Sequence, residues 1–506
     1  RVNAAYTEQN DVPMESLYYS NPAWAGLGLL PWIPKYDENG DFNTNIPSNS
    51  NQNPRATAAY DDQWSKSYRF NGTAFLRWEL TKNLVAETKN SAEVAFTQDR
   101  RYWSPKSHPK QGGTGTLQTV NSQFQNLTTS NTLNYTNIFE GYHSVRALLG
   151  QEANRYNYEY IFTYAPGVDP QIPYINTADQ KTTQTEQGFT RETLLSFFGI
   201  LDYNYDNKYF VQLTAREDGS SLFGEQNKWG FFWSASASWN MTREKWMQYN
   251  WLDLLKIRAS YGVNGNNGID AYKAYGVYAS STYNGVVGML PSQPSNPYLS
   301  WEKNGTWNVG VDFGFFNRLR GSVDVYSRKT TDMLLDKRVP QTTGFSTNFM
   351  NAGAMKNDGV EFQIDGDIVA TSDMVWSAGL NLAYNRNEIL DLAGDEKIEA
   401  ASYMHYVVGK SRYTYYLTDY YGVNPSNGEA LFRTKEGTLT NDASKAQKIY
   451  AGSPEPKLIG GFNTSFAWKG FSASAFFEFK AGNKVFLVNE WSYLNSDGSE
   501  MTMNQM

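Results

Sequence analysis

The 506-residue sequence has no cysteine and three histidines. The first absence excludes a disulfide framework, thiolate metal sites and a cysteine nucleophile. The histidines, His108, His143 and His405, lie too far apart in sequence to suggest a metal centre. No run of lysine and arginine occurs, and the net charge is -7, so a nucleic-acid partner is not expected. No apolar stretch approaches the ~18 residues of a membrane-crossing helix. The most apolar window, Ala25 to Ile33, is short and broken by Gly26, Gly28 and Pro31. There is no initiator methionine and no leader pattern, so the chain reads as processed or as an internal piece.

What is abundant is aromatic: 15 Trp, 35 Tyr and 28 Phe, in a chain whose mean hydropathy is only -0.59. Disordered chains carry few rings, so this one folds. A transmembrane β-barrel reconciles rings with polarity. Its strands alternate, so average hydropathy stays low, while ring girdles mark the two interfaces.

Alternation is the dominant pattern. Tyr209, Val211, Leu213 and Ala215 share one strand face, and Phe210, Gln212, Thr214 and Arg216 the other. Trp233, Ala235, Ala237 and Trp239 oppose Ser234, Ser236, Ser238 and Asn240. The same period runs through Ile257–Val263, Trp307–Phe313, Val360–Ile368, Trp376–Leu382 and Phe471–Phe479. Many runs reach about 10 residues, as a tilted membrane strand requires. Rings sit at the ends of the apolar faces, which suits interfacial belts. Short connections such as Thr81-Lys82-Asn83, Asp206-Asn207-Lys208, Phe316-Asn317-Arg318, Thr371-Ser372-Asp373 and Trp468-Lys469-Gly470 alternate with long polar loops. Those loops are placed at about 10–62, 98–129, 164–190, 217–229, 264–299, 332–356 and 391–456. The expectation is an all-β, antiparallel outer-membrane barrel of about 15 strands, with short periplasmic turns and long extracellular loops. Polar strand faces would line a wet lumen.

Five ordered segments carry a family resemblance. The first is Arg216-Glu217-Asp218-Gly219-Ser220-Ser221 with Phe223-Gly224 and Lys228-Trp229-Gly230. The second is Leu255 to Gly262, including Tyr261, followed by Asn264-Gly265-Asn266. The third is Asn296-Pro297, Leu299, Trp301-Glu302-Lys303, Asn308 and Gly310. The others are Gly422-Val423-Asn424-Pro425 through Leu431, and Gly452 to Lys457 before Gly460-Gly461. Together they resemble the SusC/RagA family of TonB-dependent outer-membrane transporters of Bacteroidetes. Leu222 stands where that family usually has Arg, and Phe232-Trp233 where it often has Phe-Pro. The resemblance implies an active importer capped by a SusD-like surface lipoprotein. It would be energised through TonB-ExbB-ExbD acting on an N-terminal plug, and would take up glycan or peptide oligomers. It also implies a barrel of about 22 strands. Residues 1–506 therefore read as one partial barrel domain, with plug, TonB box and C-terminal strands not included. The other reading is a barrel that anchors surface proteins without transporting.

No catalytic constellation stands out, and neither an enzyme, a cofactor nor a metal is expected. Asp365 with Asp367 reads as a polar lumenal stripe rather than an acid/base pair. Asp218-Gly219-Ser220-Ser221 lacks the G-x-S-x-G elbow of a nucleophilic serine. Asp391, Asp395, Glu396 and Glu399 lack the spacing of a calcium loop. The best substrate-contact candidates are loop aromatics: Tyr403, Tyr406, Tyr413, Tyr415, Tyr416, Tyr420 and Tyr421, with Trp103. Trp24, Trp32 and Trp64 share their ambiguity. Rings give large contact area at low entropic cost. The alternative is that they pack within a girdle or against a partner.

Overall fold

The computed structural model describes residues 1–11, 33–46, 53–107 and 112–486. Trp24, Trp32, His108 and the segment Glu500 to Met506 lie outside the described residues. In chain order the strands are β1 (Val2–Asp11), β2 (Asp62–Thr81), β3 (Leu84–Trp103), β4 (Gly115–Phe139), β5 (His143–Val168), β6 (Gln184–Tyr205), β7 (Tyr209–Ser220), β8 (Trp229–Asn240) and β9 (Leu252–Asn266). A hairpin of β10 (Val277–Tyr283) and β11 (Val286–Gln293) precedes β12 (Glu302–Phe315) and β13 (Leu319–Thr331). A second hairpin, β14 (Leu334–Arg338) with β15 (Thr347–Asn351), precedes β16 (Ala354–Ala370) and β17 (Met374–Asp391). One long loop then carries β18 (Lys397–Ala401), β19 (Met404–Val407), β20 (Thr414–Thr418), β21 (Tyr420–Val423), β22 (Ala430–Arg433), β23 (Leu439–Thr440) and β24 (Lys448–Gly452). The chain returns through β25 (Leu458–Trp468) and β26 (Phe471–Ala481).

Fifteen of these strands form one antiparallel sheet in the order β1 to β9, β12, β13, β16, β17, β25, β26. Each pairs with its sequence neighbours in the wall, as an up-and-down barrel requires. The expected strand number and the all-β architecture hold. The hairpin turns follow from backbone chemistry. Asp206 and Asn207, like Phe316 and Asn317, adopt positive φ of 49° and 55°, 56° and 52°. Two successive left-handed residues match the right-handed twist of the strands they join.

The loops are shorter than the sequence suggested. The stretch 98–129 is mostly strand: β3 runs to Trp103 and β4 starts at Gly115. Polar alternation of the kind Gln123, Gln125 and Thr129 reads as loop, yet here it continues the wall above the membrane. β4 and β5 are 25 and 26 residues long, far beyond the ~9–11 needed to cross. These strands therefore rise well past the bilayer on the extracellular side.

The pairing register fixes the faces. Tyr209, Val211 and Leu213 are exposed on the outside of β7, and Trp233 pairs beside Ala215 on the same face. A lower ring belt lies at the short-turn end. Tyr205, Tyr209, Trp239 and Trp246 follow one another at centroid distances of 6.2, 6.3 and 6.2 Å, and Trp251 stacks on Phe315 at 5.8 Å. An upper belt contains Phe197 stacked on Trp229 at 6.5 Å, with Phe231 exposed beside them. From Trp239 to Phe231 is roughly 20 Å along the barrel axis at a ~40° tilt, close to the ~25 Å apolar band of such barrels. Among the described residues no helix is long and apolar enough to cross a membrane; the strands cross.

His143 also lies on the outer face. It is neither lumenal nor free in solvent, but belongs to the lower belt. Its Nδ1 lies 2.7 Å from the Tyr203 hydroxyl, and its ring sits against Tyr142 and Tyr205.

Candidate functional site

The signature residues divide by face. Arg216, Asp218, Ser220, Gly230 and Gly262 are on the lumenal face. Gly219, Trp229 and Tyr261 are on the lipid side, where Tyr261 meets Trp233 at 5.5 Å. Arg216 donates through Nε to Asp218 (2.7 Å) and through Nη2 to Ser196 (2.8 Å), and lies over the Phe198 ring. Its planar fork satisfies a carboxylate that is itself buried.

Above it the first and third signature segments close into a knot at the extracellular rim. Ser221 exchanges hydrogen bonds with Thr193: its amide donates to the Thr193 carbonyl, and its hydroxyl accepts from the Thr193 amide at 2.8 Å. Phe223 and Leu299 are fully buried and pack with Phe232, Ala274 and Trp301. Trp301 Nε1 donates to the Lys228 carbonyl at 3.0 Å. Gly224 donates its amide to the Leu299 carbonyl at 3.0 Å. A Cβ on Gly224 would strike the Pro297 carbonyl, so only glycine fits there. Gly230 lies equally close under Phe232 and Trp301. Leu222, the departure from the family pattern, is buried beside this core, so an apolar residue is accommodated without a partner for a charge. The signature thus marks how loop 221–228 is clamped to loop 267–301, and supplies no reactive group.

The lumenal wall is polar and cross-braced. Arg258 on β9 donates to Asp312 on β12 and to Asp324 on β13, with contacts of 2.6 to 3.1 Å. Alternation within Ile257–Val263 and Trp307–Phe313 puts Arg258 and Asp312 on polar faces, but nothing in the pattern joins them. Nearby, Gln212 donates to Asp202 at 2.7 Å, and Arg146 lies 3.6 Å from the same carboxylate. Asp365 accepts from Gln363, and Asp367 from Ser377.

The structure separates the seven loop tyrosines. Five belong to a four-stranded sheet, β18-β19-β20-β24, and its connecting turn. Tyr403 stacks on Phe486 at 4.7 Å, and Tyr415 is buried against the same ring. Tyr406 and Tyr413 meet edge to face at 6.0 Å, with Arg412 over both. Tyr416 stacks on His405 at 4.3 Å, with Lys397 and Lys448 over its ring. Tyr420 and Tyr421 stand apart in β21 and are 55% and 56% exposed; Tyr420 meets Phe432 edge to face at 6.0 Å and the Arg433 guanidinium lies over Tyr421, so each leaves part of its ring surface open. Trp103 is buried at the top of β3 and presents none. Most of the loop aromatics therefore hold the loop together.

His405 is buried, and its Nδ1 has no partner among the described residues. Burial, with help from Lys397 and Lys448 and against the pull of Glu399, pushes its pKa down. Its neutral form is thus the native one. The loop sheet keeps this contribution to stability above about pH 6.5 and loses it as pH falls below that value towards the folded pKa. Protection of residues 397–418 against hydrogen exchange, with the intrinsic pH dependence of amide exchange divided out, should fall between pH 7.5 and 5, and His405→Phe should remove that dependence. Equal pH dependence in both proteins would refute the assignment.

The family model described as TonB dependent receptor-like, beta-barrel, matches residues 11–485. TonB-dependent receptor P26 of Formosa agariphila is 29% identical over 96% of this chain and 52% of its own length. TonB-dependent receptor SusC of Bacteroides thetaiotaomicron is 32% identical over 61% of this chain and 33% of its length. Among solved structures, the RagAB peptide importer in its open-open state aligns at a TM-score of 0.84 and 25% identity. That alignment covers 95% of this chain and 55% of the other. The chain spans about half the length of the curated relatives P26 and P3.

Proposed function

This chain belongs to the TonB-dependent receptor-like β-barrel family, as an outer-membrane protein related to SusC and RagA, and from that premise we propose that it is the wall and loop part of an active importer. The observation that carries the reading is the match along 11–485 onto a wall that is apolar outside and polar, cross-braced inside. In lipid every strand edge needs a partner. β1 and β26 each pair on one side only among the described residues. We propose that further strands close this sheet into a larger barrel, of which residues 1–506 are one part. A plug would fill the lumen, and TonB-ExbB-ExbD would move it. A SusD-like lipoprotein would cap the long loops, and the cargo would be a glycan or peptide oligomer.

Under this reading the protein changes no covalent bond; it selects and admits. Substrate contacts are assigned first to Tyr420 and Tyr421, whose rings are more than half exposed. Tyr403, Tyr406, Tyr413, Tyr415 and Tyr416 shape the loop that presents them, and Trp103, buried at the top of β3, offers no open ring face. The double variant Tyr420→Ala/Tyr421→Ala should lower oligomer uptake about thirtyfold, on the scale of two lost ring contacts of ~1 kcal/mol each. Heat-modifiable gel migration should be unchanged. The deciding experiment is growth on candidate oligomers after deletion of the gene, and after deletion of TonB. Loss of growth in both supports import. Growth intact in both, with surface lipoproteins released, would favour an anchoring scaffold.

A further inference from the structure

The extracellular sheet β18-β19-β20-β24 has two unlike faces. One turns Tyr415 against Phe486. The pairing register puts Lys397, His405, Tyr416, Lys448 and Tyr450 together on the other. There the Tyr416 ring centroid lies 4.3 Å from that of His405 and 5.1 Å from that of Tyr450. His405 is buried and Tyr416 half-buried, so these two form the floor. Tyr450 is 38% exposed and leaves ring surface open.

Three ammonium groups surround this pair of tyrosines. Lys397 and Lys448 lie 5.4 and 5.6 Å from the Tyr416 centroid. Lys410, from the turn between β19 and β20, lies 5.1 Å from the Tyr450 centroid. All three are exposed, and among the described residues none is ion-paired with a carboxylate. The neighbouring carboxylates serve other groups. Glu399 is 3.5 Å from Arg338, and Asp419 accepts from Gln447 at 2.8 Å and lies 3.9 Å from Arg433. Glu396 precedes β18 and pairs with none of the three lysines. Packing of a lysine stem on a ring is ordinary and would account for one such contact. Three unneutralised ammonium groups around two rings, in a chain of net charge -7, also concentrate positive potential on one face. His405 senses that potential: burial pushes its pKa down, and Lys397 and Lys448 push in the same direction.

Taking the importer reading of this loop as the basis, we infer that this face binds an anionic oligosaccharide bearing sulfate or uronate groups, with a sugar ring on Tyr450 and the negative groups on Lys397, Lys410 and Lys448. A pyranose offers a flat C–H face to an aromatic ring and carries its charged substituents around its rim. An open ring bordered by ammonium groups matches that layout. An acidic peptide would use the lysines but has no flat face for Tyr450. A neutral sugar would use the ring and leave the lysines unneutralised.

The test uses the full-length protein purified in dodecyl maltoside and titration calorimetry. The probes are a galacturonate hexamer, a sulfated hexasaccharide, maltohexaose and hexaglutamate. At low salt the wild type should hold an anionic sugar about tenfold more tightly than maltohexaose, on the scale of a few exposed ion pairs, and the preference should shrink as salt is raised. Whichever of the two anionic sugars binds more tightly identifies the charged group. Lys397→Gln/Lys448→Gln should remove most of the preference and leave maltohexaose binding unchanged. Tyr450→Ala should weaken the anionic sugars about fivefold, the scale of one ring contact, and leave hexaglutamate binding unchanged. If Tyr450→Ala loosens the loop sheet, judged by hydrogen exchange of residues 397–418, the lysine pair decides alone. Equal binding of charged and neutral sugars by the wild type, or a preference untouched in the lysine double variant, overturns the inference. So does hexaglutamate bound as tightly as the anionic sugars, which would assign the face to an acidic protein surface. Calorimetry reads binding without transport. Binding here with growth intact in the deletion strains would remove the importer reading and leave the site, whereas uptake of anionic sugars without binding here would remove the site alone.

Discussion

Trp301→Ala should unfasten the extracellular rim while leaving the membrane part of the wall in place. The ring is buried between Phe223 and Phe232, at centroid distances of 4.8 and 5.3 Å, and its Nε1 satisfies the Lys228 carbonyl. Truncating a buried Trp to Ala costs about 3–5 kcal/mol, and the orphaned carbonyl adds about 1 kcal/mol. The strands below are held by their own backbone ladders, so the loss is local. Hydrogen exchange at the amides of Ser221, Gly224 and Leu299 should rise by about a hundredfold or more, since each 1.4 kcal/mol is a factor of ten. Exchange in the membrane rows of β7 and β8 should stay as it was. Trp301→Phe, which keeps the packing but loses the donor, should recover most of the protection. Unchanged exchange at Ser221 and Gly224 in Trp301→Ala would show that the knot does not depend on this ring.

The wall was legible in the sequence because its physics is periodic. Lipid on one side and a wet lumen on the other impose a two-residue repeat, and Trp233 to Asn240 shows it without a break. The tall extracellular extensions were not legible, because there both faces meet water and the repeat loses its apolar member. That is why 98–129 reads as loop although most of it is β3 and β4. The hairpin turns were legible for a local reason: Asp206-Asn207 tolerates left-handed backbone.

The site was legible only in part. The signature segments stood out as strings, but a string does not say that Gly224 lies against Pro297, seventy-odd residues away. Long-range clamping of this kind leaves no periodic trace. The tyrosine cluster was visible as composition, yet composition cannot separate the exposed rings of β21 from Tyr415 under Phe486. Nor did Lys397 and Lys448 stand out as neighbours of Tyr416, since they come from opposite ends of the loop.

Arg258→Met should weaken the barrel wall, and removing one of the two carboxylates it serves should restore part of the loss. Arg258 reaches across β12 to bind Asp312 and Asp324 together, a crossing that the missing side chain of Gly310 permits. Without the guanidinium, two carboxylates on adjacent strands face the lumen uncompensated. The three side chains are 34%, 25% and 13% exposed, so water screens the loss in part. The expected destabilisation is about 2 kcal/mol, between the values for a surface pair and a fully buried one. Adding Asp324→Asn to Arg258→Met should recover about half of this, because the remaining carboxylate no longer faces a like charge. Asp324→Asn in the wild-type background should itself be destabilising, since it weakens one arm of the fork. Urea unfolding of the barrel in lipid vesicles, followed by tryptophan fluorescence, measures all four members of the cycle. Strictly additive effects would mean that Arg258 and Asp324 are coupled in geometry but not in energy, and that the lumenal fork does not brace the wall.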